Sequence, residues 1–189
     1  MHSIFLLIAC AIEGSGDCRC VSAAAKLVAE VLLVNFVPPV KCSQSRLRQA
    51  WKQVLNDDDA WMRAAQAAPQ KALWGHLFWQ GLHDLSTFFT LKTRKSILGV
   101  FKLLEFILPC RDCRLHTKQS MYCLRDTFWK ASNLADFIDA VIELHNLITL
   151  MIHGTKRLIY CQLPKDASRA ILTQTQALKF VAEHGRSSR

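Results

Sequence analysis

Ser96-Ile97-Leu98-Gly99-Val100-Phe101-Lys102-Leu103-Leu104-Glu105-Phe106-Ile107-Leu108-Pro109-Cys110-Arg111-Asp112-Cys113 decides the fold class. Ile97, Val100, Phe101, Leu104, Ile107 and Leu108 recur at three- and four-residue intervals, the stripe of a helix with one buried face. Pro109 lacks the donor that would extend that helix, and it delivers Cys110 and Cys113 to the start of the next one. Such a pair can close into a small strained disulfide. It can also open, because a thiolate near a helix N-terminus is stabilised by the backbone dipole. Taken alone, the pair is compatible with metal binding, a structural bridge or electron transfer.

On either side the same period continues. Leu73-Trp74-Gly75-His76-Leu77-Phe78-Trp79-Gln80-Gly81-Leu82-His83 opens a long helix that runs to about Leu91, with Trp79, Leu82, His83 and Ser86 on one face. A short helix follows from Cys113 to about Met121. The next runs from Leu134 to Ile152, with Asn133 as N-cap, Gly154 as stop, and Phe137, Val141, Leu144, Ile148 and Met151 as its core face. A last helix, Asp166 to Glu183, follows Pro164. There is no hairpin signal, no Gly-rich phosphate loop and no internal repeat. The expected fold is all-α, a small helical bundle: a four-helix bundle with a short extra helix and an N-terminal helical extension.

The chain divides into residues 1–69 as the extension, 70–160 as the central domain, and 161–189 as a C-terminal helix with a basic tail. Within the extension, Ser3 to Ile12 is apolar and ends at Glu13-Gly14-Ser15-Gly16. It has the length of a signal-peptide core, with Ala9-Cys10-Ala11 as a small-residue cleavage pattern, but no Lys or Arg precedes it. A signal, a buried helix or strand, and a loosely attached leader all remain open. Val21 to Val37 reads as an amphipathic helix ended by Pro38-Pro39, and Ser43 to Leu55 as another capped by Ser43. Asn56 and Asp57 to Asp59 then cap Ala60 to Ala68, which Pro69 closes.

The chain has 189 residues, 51% hydrophobic, and a formal charge of +9 from 24 Lys+Arg against 15 Asp+Glu. That composition argues for a packed core rather than disorder. The basic residues are dispersed, with no run interleaved with aromatics, so nucleic acid is not an expected partner. The eight cysteines do not form two CxxC pairs, which argues against a four-cysteine zinc site.

Three elements stand out together: Trp74-Gly75 with Trp79 and His83, the Cys110-Arg111-Asp112-Cys113 pair, and His145-Asn146. Together they resemble the Erv/ALR-type FAD-linked sulfhydryl oxidases over Leu73 to Arg157. Gly75 to His83 fits that family's Gly-x-x-x-Trp-x-x-Leu-His pattern at every fixed position. Pro109 to Cys113 fits its redox CxxC behind a proline. His145-Asn146-Leu147-Ile148-Thr149 keeps the first two residues of His-Asn-x-x-Asn and has Thr149 where the last Asn is usual. The divergent flanks fit a member from a large DNA virus, with the host cytoplasm or the virion as its compartment. The secretory pathway is the alternative if the N-terminal apolar segment is a signal peptide.

What the resemblance implies is a bundle holding FAD, lined by Trp74, Gly75, Trp79, His83, His145, Asn146 and Thr149, with Lys156 and Arg157 toward the pyrophosphate. Cys110 and Cys113 would be catalytic: Cys110 is attacked by a substrate thiol, and Cys113 lies next to the flavin. The expected activity is oxidation of protein dithiols, a thioredoxin- or glutaredoxin-like carrier among them, with oxygen reduced to hydrogen peroxide. The family's dimers imply a homodimer through the first core helices. Where the family braces its fourth helix with a cysteine pair, Cys123 and Cys161 flank that helix here, either bridged or free. Cys18-Arg19-Cys20 stands where a shuttle pair would be; the alternative is direct oxidation of partners at Cys110/Cys113. A different class of function also fits the residues: a non-enzymatic helical interaction protein, with Cys110 and Cys113 as half of a zinc site completed by His116 or Cys123.

Overall fold

The computed structural model describes residues 2–14 and 17–153, and every regular element among them is an α-helix. In chain order these are α1 (His2–Gly14), α2 (Cys18–Leu32), α3 (Gln44–Leu55), α4 (Asp58–Ala67), α5 (Lys71–Ser86), α6 (Arg94–Ile107), α7 (Arg111–Cys123), α8 (Arg125–Lys130) and α9 (Leu134–His153). The all-α expectation holds. None of these helices is long and apolar enough to cross a membrane.

The apolar segment at Ser3 to Ile12 is a buried helix, and it lies at the centre of the molecule. Ile4, Leu7, Ile8, Ala9, Cys10 and Ala11 have no exposed surface. A helix that is apolar all round can only be satisfied by neighbours on every side. For α1 these are α5, α4, α3 and α2. Its closest approach is to α5, at a glycine. A Cβ placed on Gly81 would fall 2.8 Å from Leu7 Cβ and 2.8 Å from the Ser3 carbonyl oxygen. The Ser3 hydroxyl donates to Asp84 across this contact, and buried Trp51 of α3 donates its indole N–H to the Phe5 carbonyl at 3.1 Å.

α2 packs on α6 in the same manner, with Leu27 at Gly99. The surfaces of α5 and α6 that surround Gly81 and Gly99 are thus covered by helices of the same chain. One hydrophobic core runs through both sides of the Pro69 boundary. On the far side α7 bridges α6 and α9, and α9 lies against α5. Phe89 stacks on Phe137 at 4.2 Å, and Phe101 and Phe128 meet Phe137 edge-on.

The stripe of α6 is buried at all six expected positions. The boundaries of two helices differ from expectation for local reasons. α2 stops at Leu32, well before Pro38, because Leu33 turns left-handed (φ 55°). Its N–H donates to Glu30 O, and Val34 N–H to Ala29 O at 3.0 Å, a Schellman ending built without glycine. α5 stops at Ser86 rather than near Leu91, since the Ser86 and Thr87 hydroxyls donate to the carbonyls of His83 (2.6 Å) and Asp84 (2.7 Å). Capping by Ser43, Asp57 and Asn133 is as the sequence suggested: each side-chain oxygen accepts an N–H of the first helical turn. α8 carries no periodic stripe and was not expected. Gly154 and the Asp166 to Glu183 helix lie outside the described residues.

Candidate functional site

The residues singled out by sequence fall into two groups, on different sides of α5. The first is a ring cluster between α5 and α9. Trp79 and His83 are one turn apart on α5, and His145 projects from α9 to meet both. The Trp79 and His145 rings stack at 4.0 Å between centroids with 11° between planes. His83 Nε2 and His145 Nδ1 are 3.0 Å apart, hydrogen-bonded in whichever tautomer gives one donor and one acceptor.

Burial holds both imidazoles toward neutrality. It lowers His83, and it takes His145 from 6.5 down to about 4, with the neighbouring His83 adding to the effect. Two neutral rings joined by one hydrogen bond make a directional polar pair.

Thr149 is buried one turn beyond His145, and half-buried Asn146 lies beside it. The amide of Asn146 has no hydrogen-bond partner among the described residues. Gly75, one turn before Trp79, has nothing within 4 Å of where a Cβ would stand. Packing within the protein therefore does not require a glycine there.

The second group surrounds the cysteine pair. Cys110 is the N-cap of α7, and its sulfur accepts the Cys113 N–H at 3.3 Å. A sulfur in this position faces the free N–H groups at the start of the helix. Cys110 is half-buried while Cys113 is 4% exposed, the asymmetry expected of an attacked and a sheltered member. Arg114 donates to the Leu108 carbonyl at 2.9 Å and fixes the turn around Pro109.

Cys110 opens onto a cavity of about 490 Å³ lined also by Glu13, Gly14, Ala65, Ala68, Pro69, Trp74 and Pro109. The end of α1 is pressed against its rim: a Cβ on Gly14 would fall 2.5 Å from Pro109 Cβ. The carboxylate of Glu13 is not free in this wall, since Arg48 holds both of its oxygens at 2.7 Å.

Trp74 therefore belongs with Cys110 and not with Trp79. The two tryptophans are five residues apart on α5 and leave it about 140° apart at ~100° per residue. The expectation that both would wall one flavin pocket is not met by this geometry. The cavity residues of α1 and α4 escaped sequence reasoning, because small residues at a helix end carry no motif.

Lys156, Arg157 and Cys161 lie outside the described residues. Cys123 is half-buried, and burial raises its thiol. His116, one turn beyond Cys113, has a buried Nδ1 with no hydrogen-bond partner. Among the described residues no three His, Cys, Asp or Glu side chains gather as a metal ion requires. Comparison of the chain with protein-family models, with curated proteins and with solved structures finds no match.

Proposed function

We propose that the protein is an FAD-linked sulfhydryl oxidase of the Erv/ALR type. The observation that carries this reading is the meeting of Trp79, His83 and His145. Residues from two motifs, 62 positions apart at the histidine pair, are drawn into one contact of 3.0 Å. A core that only had to pack would not gather two imidazoles against an indole, since each polar atom left unpaired costs about 1–3 kcal/mol.

The residues suit the cofactor. The Trp79–His145 pair offers a flat apolar surface. Asn146 and Thr149 supply oriented polar groups beside it, and the space at Gly75 leaves room for a planar group. Lys156 and Arg157 are assigned to the pyrophosphate as charge-assisted donors. When bound, FAD supplies a two-electron acceptor that passes its electrons to molecular oxygen, giving hydrogen peroxide.

The chain's own thiols do the exchange. A substrate thiolate attacks the Cys110 sulfur of a Cys110–Cys113 disulfide, forming a mixed disulfide and releasing Cys113 as thiolate. The second substrate thiolate attacks the substrate sulfur of that bond and releases Cys110. The substrate leaves as a disulfide, and its two electrons reside on the Cys110/Cys113 dithiol. Partners on this reading are protein dithiols, thioredoxin- or glutaredoxin-like carriers included. A second copy of the chain would dock on a surface other than the α5 and α6 faces that α1 and α2 cover.

The test is spectroscopic. Purified protein should absorb at about 450 nm, where oxidised flavins do, bleach with dithiothreitol under anaerobic conditions and recover in air. Cys110→Ser and Cys113→Ser should keep the colour while thiol-dependent oxygen uptake falls to background. A colourless protein that gains no absorbance with added FAD would sink the proposal.

A further inference from the structure

Away from both groups, three cysteines sit where α2 and α3 begin. Cys18 opens α2, Cys20 lies in its first turn, and Cys42 directly precedes the Ser43 cap of α3. The Cys42 thiol donates to the carbonyl oxygen of Cys18, with 2.9 Å between sulfur and oxygen. Both cysteines are half-buried, so a small reagent reaches them. Cys20 donates its backbone N–H to the Asp17 carboxylate at 3.0 Å, the cap of α2. Positions i and i+2 of a helix do not face each other. Cys18 therefore has its partner in Cys42, not in Cys20.

We infer that Cys18 and Cys42 form a reversible disulfide that ties the start of α2 to the start of α3. The start of α3 holds the end of α1. Gln44 donates to the Ile12 carbonyl at 2.8 Å and Arg48 pairs with Glu13 at 2.7 Å. Glu13 and Gly14 form one wall of the cavity beside Cys110. The bridge clamps that wall in place. Reduction leaves it held by packing, hydrogen bonds and the ion pair, without a covalent tie.

The oxidant is a low-molecular-weight disulfide such as oxidised glutathione. Cys18, at the first helical position, attacks one sulfur as thiolate, and one glutathione thiolate departs. Cys42 then attacks the Cys18 sulfur of the mixed disulfide and expels the second glutathione. The protein pair gives up two electrons and two protons, and two glutathione thiols form. Burial and the neighbouring Cys18 push the Cys42 thiol up to about 11. The inference does not rest on the oxidase reading, because the oxidant is supplied from outside.

The full-length chain, reduced, desalted and treated with oxidised glutathione, should be alkylated without reduction and digested with trypsin. Arg19 separates Cys18 from Cys20, and cleavage after Lys41 frees a peptide beginning at Cys42. The expected product is a cross-linked pair, with fragment spectra that place the bridge at Cys18 rather than Cys10. The oxidised chain should melt roughly 5–10 °C higher than an identically treated Cys42→Ser variant, as closing a loop of about 25 residues predicts. Cys42 recovered alkylated, glutathionylated or joined to Cys20 overturns the bridge. A bridged chain that melts together with Cys42→Ser overturns the clamp.

Discussion

The ring cluster is closed by direct contact between side chains, whereas the space beside Cys110 is left open by backbone. Trp79, His83 and His145 fill the gap between α5 and α9 with stacked and hydrogen-bonded rings. The Cys110 cavity is framed by helix ends, prolines and small residues that do not reach across it. The contrast teaches how differently the two are written into the chain. Side chains that must meet from two helices need fixed spacing on each, and fixed spacing is visible in sequence. A void framed by α1, α4, α5 and the Pro109 turn needs only that no side chain reach across it, and this leaves no pattern to read.

The largest test of the contrast removes polar partners from the ring cluster. His83→Ala combined with Asn146→Ala should release flavin into the filtrate and lower the melting temperature of the holoprotein. The loss of linkage should be about 3 kcal/mol or more at saturating cofactor. Added FAD should restore part of it. Retention of stoichiometric FAD with unchanged melting would place the pocket elsewhere. Gly81→Ala comes next. Its new methyl must displace the Ser3 carbonyl and Leu7, a backbone contact with no soft side. Chemical denaturation should show a loss of about 1–3 kcal/mol. An unchanged midpoint would mean that α1 does not seat on α5 as described.

A pH titration of the flavin-free protein addresses the imidazole pair. Unfolded imidazoles take up protons near 6.5, while folded His145 resists until about 4. The unfolded state therefore binds more protons in this window, and stability falls as pH drops through it. Solvent access to both rings keeps the effect below that of Gly81→Ala. Replacing His145 by Asn should flatten the profile, and a profile of unchanged slope would count against the buried neutral pair. The smallest effect is expected at Gly75→Ala. With open space around it, the extra methyl should raise flavin-free stability by about 0.5–1 kcal/mol, the helix preference of Ala over Gly. The same substitution should weaken FAD retention. Tighter retention would mean that the open space at Gly75 is not used by the cofactor.

Much of the helical architecture was legible because amphipathic helices announce their buried faces: the α6 stripe is buried at every position read from the 3.6-residue period. Helix ends were less legible. They depend on single events, such as Leu33 turning left-handed or the Ser86 and Thr87 hydroxyls taking up carbonyls, that propensity does not anticipate. The role of α1 was hidden for a different reason. Uniform apolarity shows that a helix is buried in something but not in what, so a signal core and a central helix look alike. In the ring cluster, spacing put Trp79 and His83 on one helix face, and the resemblance to the family's motifs added His145. Trp74 was grouped with them because proximity in sequence hides a turn of about 140° around the helix axis.

Gly81 under α1 and Gly99 under α2 have one more consequence. Two apolar helix faces of the motif-bearing half are covered by a tethered neighbour rather than by a free-standing one. A cover on the same chain forfeits no translational freedom when it docks, and dilution does not remove it. The covering of these α5 and α6 faces should be as complete in nanomolar as in micromolar protein.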